Sequence, residues 1–144
     1  KYRARRSLDA NAYYWTLITK LAAVLETSNA EQHNRMLCLY GYPEIIEDKH
    51  FLVVLPDTEE AQKKVMRAED YHLKPTSDVR EGNDGISYRT SVLMRGSRTY
   101  NTEEMSRLIN GLISECKDVK IPDSEIATPD EKRTLKERYG VDFG

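Results

Sequence analysis

The sequence predicts an α+β domain in which long helices pack against a small antiparallel sheet. Three features carry that prediction: extended stretches with apolar residues at three- and four-residue steps, short apolar runs that alternate, and a Gly-Asn-Asp-Gly segment suited to a hairpin loop. At 144 residues the chain reads as a single domain over residues 1–144, long enough to bury one core.

From Leu8 to Glu26 the residues Leu8, Ala12, Trp15, Ile18, Ala22 and Leu25 recur at helical spacing, widened by Tyr14, Leu17, Leu21 and Val24. This predicts a long, largely buried helix with Ser7 as N-cap and Asp9 in the first turn. Ser28-Asn29-Ala30-Glu31 has the form of a capping box and starts a second helix that stops at Gly41, before Pro43, so the two helices form a tight hairpin. His50 to Leu55 predicts a short strand closed by Pro56, and Asp57-Thr58-Glu59-Glu60 caps a short polar helix to about Arg67.

Tyr71 to Lys74 and Ser87 to Arg95 read as strands joined through Gly82-Asn83-Asp84-Gly85. In the second of these Tyr88, Thr90, Val92 and Met94 form the expected core side, with Arg89, Ser91, Leu93 and Arg95 on a polar, basic side. Asn101-Thr102-Glu103-Glu104 caps a third long helix carrying Met105, Leu108, Ile109, Leu112, Ile113 and Cys116. Thr128-Pro129-Asp130-Glu131 starts a last helix that ends at Gly140.

Composition narrows the functional classes. The longest apolar run, Phe51 to Leu55, is far too short to span a bilayer, so no membrane association is expected. Cys38 and Cys116 lie in apolar helical stripes, which fits core filling in a reducing cytoplasm. Net charge is −2, yet residues 1–20 carry five Lys/Arg against Asp9 alone, and Lys74 to Arg98 adds five more cations. Two stretches are thus available to one basic face.

No signature of a familiar enzyme is present. His33, His50 and His72 have no metal-ligand spacing, and the glycines follow neither nucleotide-binding order nor a nucleophile elbow, so no catalytic residue, metal or cofactor is assigned. Asp57, Glu59, Glu60, Glu69 and Asp70 form the acidic set that a divalent-metal nuclease could use, but capping by Asp57 and Glu60 and the solvated face of a lysine-rich helix are the favoured account of them.

The opening KYRARRSLDANAYYW is more specific. Lys1, Arg3, Arg5 and Arg6 precede a helix start, where cations oppose the helix dipole. Guanidinium groups beside free backbone N–H groups at a helix N-terminus would form a phosphate site. Arg95-Gly96-Ser97-Arg98-Thr99-Tyr100 repeats the arrangement before the third long helix, with Gly96 allowing close approach and Tyr100, like Tyr2, offered to a base. Pairing of these arginines with the acidic C-terminal third, or a frayed terminus, is the alternative that sequence physics leaves open.

Arg6-Ser7-Leu8-Asp9, Asn11 and Trp15 resemble the RSLDxN…W motif of the lambda phage Orf (NinB) recombination mediators. Ser97-Arg98 and the closing Lys136-Glu137-Arg138-Tyr139-Gly140 continue the likeness in the same order, over about half of the chain, with Tyr139 where that family has Trp. The resemblance is to a prophage-type relative lacking the N-terminal strand region. It implies a homodimer that binds single-stranded DNA without sequence preference and helps load a recombinase or acts with single-strand-binding protein. The residues it implies for DNA contact are Arg6, Ser7, Asn11, Ser97 and Arg98. Arg3, Arg5, Arg95 and Tyr100 join them on charge and stacking grounds. A metal nuclease and a module docking on a phage or host replication factor are the competing classes.

Overall fold

The computed structural model describes residues 9–143 and has an α+β fold. Its elements are helices α1 (Ala10–Leu25) and α2 (Asn29–Tyr40), strands β1 (Ile45–Ile46), β2 (Lys49–His50) and β3 (Leu52–Pro56), helix α3 (Glu59–Met66), strands β4 (Leu73–Glu81) and β5 (Ser87–Leu93), a 3-10 turn (Ser97–Thr99), and helices α4 (Thr102–Asp118), α5 (Asp123–Ile126) and α6 (Pro129–Tyr139). Where length predicts one compact unit, the described residues group into two. One runs up to Asn29 and resumes at Tyr100, and the other spans Ala30–Thr99.

The first unit is helical. Tyr14, Leu17, Ile18 and Leu21 of α1 are fully buried, as are Leu108, Ile109 and Leu112 of α4 and Leu135 of α6. Leu135 closes the last helix onto α4, and Gly140, with φ of 67°, takes the left-handed conformation that ends α6. Tyr13 donates its hydroxyl to the Ile126 carbonyl at 2.7 Å, fixing α1 to the short α5 turn that the sequence pattern does not announce.

Two details of α1 differ from the sequence reading. Asp9, not Ser7, is the N-cap: its carboxylate accepts from the N–H groups of Asn11 and Ala12, so the helix starts at Ala10. Ser7 and Leu8 lie outside the described residues. The buried side is centred on Tyr14, Leu17, Ile18 and Leu21, whereas Trp15 is half-buried and Ala12, Val24 and Leu25 are exposed. A broad apolar stripe is wider than the area α4 can cover.

The second unit holds the sheet, in the order β3-β5-β4, with β1 and β2 as a separate small hairpin. The expected single strand His50 to Leu55 is interrupted at Phe51, and β4 continues past Lys74 to Glu81 across a register shift between Pro75 and Val79. The expected core side of β5 is only partly buried: Met94, just past the strand, is buried as read, while Tyr88, Thr90 and Val92 are half-buried. Ser91, expected on the polar side, is its most buried residue and stands opposite Val53 and Pro75, while Leu52 and Val54, opposite Val92 and Thr90, are exposed. Arg89 can occupy the Ser91 side because Asp57 neutralises it, through contacts of 2.9 and 3.3 Å.

Helix α2 is held in this unit by polar bonds. Asn34 donates both amide hydrogens, to the carbonyls of Met66 and Ala68 at 2.9 and 2.8 Å, and Cys38 donates to the Leu73 carbonyl. Burial raises the Cys38 thiol above its ordinary value and pushes that of Cys116 up to about 12, as suits cysteines that fill space rather than react.

Candidate nucleic-acid interface

The turn from Arg95 to Thr99 is built by its own side chains. Met94 and Arg95 donate their N–H groups to the carbonyls of His72 and Tyr42, which anchors the start. Thr99 then closes back on the Gly96 carbonyl through its N–H at 3.2 Å and its hydroxyl at 2.8 Å. The Arg95 guanidinium folds over this turn, donating to Thr99 Oγ1 at 3.3 Å and to the Thr99 carbonyl at 2.8 Å. Arg95 therefore braces the turn.

That bracing leaves Arg98 exposed, with no hydrogen bond or ion pair among the described residues. Ser97 is buried, and a Cβ on Gly96 would meet His72 Nε2 at 3.9 Å, an ordinary van der Waals contact, so no close approach requires glycine there. Of the predicted DNA-binding residues, the structure gathers Arg95, Ser97 and Arg98 in this one turn. Asn11 is exposed in the first turn of α1, and Tyr100 is half-buried; both belong to the helical unit. Tyr2, Arg3, Arg5, Arg6 and Ser7 lie outside the described residues.

The cations between Lys74 and Arg98 are less available than their number implies. Arg80 pairs with Asp78 at 3.2 Å, Arg89 with Asp57, and Arg95 with its own turn. Lys74 and Arg98 have no hydrogen-bond or ion-pair partner among the described residues. A linear count of charge cannot reveal this, because the partners of Arg89 are 13 and 32 residues away.

Part of the backbone at the two helix starts is also taken. Asp9 occupies the N–H groups of Asn11 and Ala12. At α4, Asn101 accepts from the Glu104 N–H at 2.8 Å and Glu104 accepts from the Asn101 N–H at 3.0 Å, a complete capping box. The protein's own acceptors thus occupy some of the N–H donors expected to hold a phosphate, those of Asn11 and Ala12 at α1 and of Glu104 at α4.

Two other groups of functional interest separate from this turn. Asp57 is committed to Arg89, and Glu59 pairs with Lys63 at 3.0 Å. Glu60, Glu69 and Asp70 line an open depression shared with Lys63, Lys64 and Arg67. Among the described residues no group of three or more His, Cys, Asp or Glu could hold a metal ion.

Sequence reasoning missed the second group, a buried imidazole pair. His33 and His72 meet edge to face with ring centroids 5.1 Å apart, and His72 Nδ1 lies 2.6 Å from Asn34 Oδ1. Burial, with His72 contributing next, pushes His33 down to about 3, and burial also lowers His72. The separation of 39 positions between these histidines hid the pairing, and no spacing signal marks it.

No helix among the described residues is long and apolar enough to cross a membrane. No family model, curated protein or solved structure matches this chain.

Proposed function

We propose that this protein is a phage recombination mediator of the Orf (NinB) type, a homodimer that binds single-stranded DNA without sequence preference in the cytoplasm of the bacterial host. It assists recombinase loading or exchange with single-strand-binding protein, and its role is binding rather than catalysis. The observation that carries the reading is Arg98: an exposed guanidinium without a partner among the described residues, on a turn braced by Arg95 and Thr99. Ordering the turn in advance lowers the entropic cost of placing that charge against a phosphate. Arg6, by resemblance, supplies a second cation, and Tyr100 a ring for a base.

Mechanistically the contacts are sequence-neutral. Each arginine neutralises a phosphate and releases condensed counterions, so affinity falls steadily with salt. Titration of labelled oligo-dT by fluorescence anisotropy at several salt concentrations tests this. Arg98→Ala is expected to weaken binding to all oligonucleotides alike and to reduce the log–log salt slope by about 0.7. Absence of binding at low salt, or a loss confined to one sequence, contradicts the reading. Cleavage of nicked, branched or single-stranded DNA in the presence of Mg²⁺ would instead favour the nuclease class.

A further inference from the structure

The two edges of the three-stranded sheet are unequally protected. Sheet edges are ordinarily blunted by charge, proline or a bulge, since their free N–H and C=O groups invite another strand. Strand β4 has all three: Pro75, the register shift up to Val79, and the Asp78–Arg80 ion pair. Strand β3, Leu-Val-Val-Leu-Pro, has no charged residue, pairs with β5 in unbroken register from Leu52 to Pro56, and carries proline only at its last position. Leu52 and Val54 are 58 and 60 % exposed, and the neighbouring Ile45, Ile46 and Phe51 are about half exposed.

The hydrogen-bonding phase of this edge follows from its bonds to β5. Leu93 donates to the Phe51 carbonyl and Asp57 to the Ser87 carbonyl, so Phe51, Val53, Leu55 and Asp57 direct their backbone groups inward. Leu52, Val54 and Pro56 therefore direct theirs to the open side. We propose that this edge is where a second copy of the chain pairs, β3 against β3 in antiparallel register centred on Val54, extending the sheet across a two-fold axis.

Self-complementarity selects this occupant. In that register Val54 faces its own copy and exchanges two N–H to carbonyl bonds with it. Leu52 faces Pro56 of the other copy and donates to its carbonyl, twice by symmetry, so the missing proline N–H is the single vacancy in each pair. Two Leu52 and two Val54 side chains then share one face of the joined sheet, where adjacent apolar cross-strand pairs stabilise each other. A stable interface buries about 800 Å² per partner, more than a five-residue strand supplies, and Ile45, Ile46 and Phe51 are further exposed apolar side chains close by in sequence.

The dimer is part of the functional reading above, but this surface involves no DNA contact, and its test is carried out without DNA so that the two fail separately. Sedimentation equilibrium of the full chain is expected to give a dimer. Val54→Lys should weaken it by about tenfold or more while leaving the circular dichroism spectrum unchanged, because the side chain is exposed within one copy. Val54→Cys should form a covalent dimer on oxidation, whereas wild type and Leu55→Cys should not, which decides the matter even if the lysine variant folds poorly. A monomer at every concentration, a dimer indifferent to Val54→Lys, or cross-linking at Leu55 equal to that at Val54 overturns the proposal.

Discussion

Asn34 and His72, 38 residues apart, are joined by a 2.6 Å hydrogen bond that ties helix α2 to the start of β4. Both hydrogens of the Asn34 amide go to the Met66 and Ala68 carbonyls, so its oxygen is the acceptor and the bond assigns the proton of His72 to Nδ1. One side chain thereby fixes three separate segments and the tautomer of an imidazole.

Asn34→Ala is accordingly expected to be among the most damaging single changes in this unit. It leaves two carbonyls and one imidazole N–H without their partner, at about 1–3 kcal/mol for each group that water cannot reach. A loss of roughly 2–4 kcal/mol in urea unfolding is expected. A loss under about 0.5 kcal/mol, the size of an ordinary surface change, would show the network to be dispensable.

Acid should act through the His33–His72 pair. Both groups have folded values below the ordinary 6.5, His33 at about 3, so the unfolded chain binds more protons as pH falls. The stability they allow is fully present above pH 6.5, declines as pH drops below it, and for His33 is lost completely only near pH 3. Unfolding midpoints measured from pH 7.5 to 4.5 should fall steadily, and His33→Gln should flatten that slope. An equal slope in the variant would assign the acid sensitivity to other groups.

The Asp57–Arg89 pair separates structural arginines from binding ones. Its contacts, with a third from Arg89 Nη1 to the Thr76 carbonyl at 2.6 Å, lie in a part-buried setting where the fork geometry of arginine is needed. Arg89→Ala should cost about 1–3 kcal/mol, Arg89→Lys should recover little of it, and a double-mutant cycle with Asp57→Ala should show coupling. Oligo-dT affinity of folded Arg89→Ala should match wild type, unlike that of Arg98→Ala.

Asp9 makes the complementary case. Its carboxylate occupies two N–H groups of α1, so Asp9→Ala should destabilise the helix by about 1 kcal/mol. The same substitution removes a negative charge and frees the donors beside Asn11. Affinity for oligo-dT should rise, provided the start of α1 faces DNA; unchanged or weaker binding would place the phosphate path elsewhere.

Much of this architecture is local and was legible as such. The capping boxes at Asn101 and Thr128, Pro129 at a helix start and Gly140 at a helix end each act within a few residues, so the chain itself states them. The buried stripe of α4 is equally plain, because every third or fourth residue from Met105 to Cys116 is apolar. What sequence alone determined, then, is the presence of the long helices and where α4 and α6 begin, the α+β class, and the clustering of cations before two long helices.

Tertiary structure decided which of those groups remain free. Arg89 is taken by Asp57, Arg95 by Thr99, the N–H groups of Asn11 and Ala12 by Asp9 and that of Glu104 by Asn101, leaving Arg98 to carry the charge of its turn. It also chose the buried side of β5 and brought His33 against His72. Alternation and spacing report which side chains share a face, but burial and pairing depend on the element that packs against that face, and that neighbour comes from a distant part of the chain.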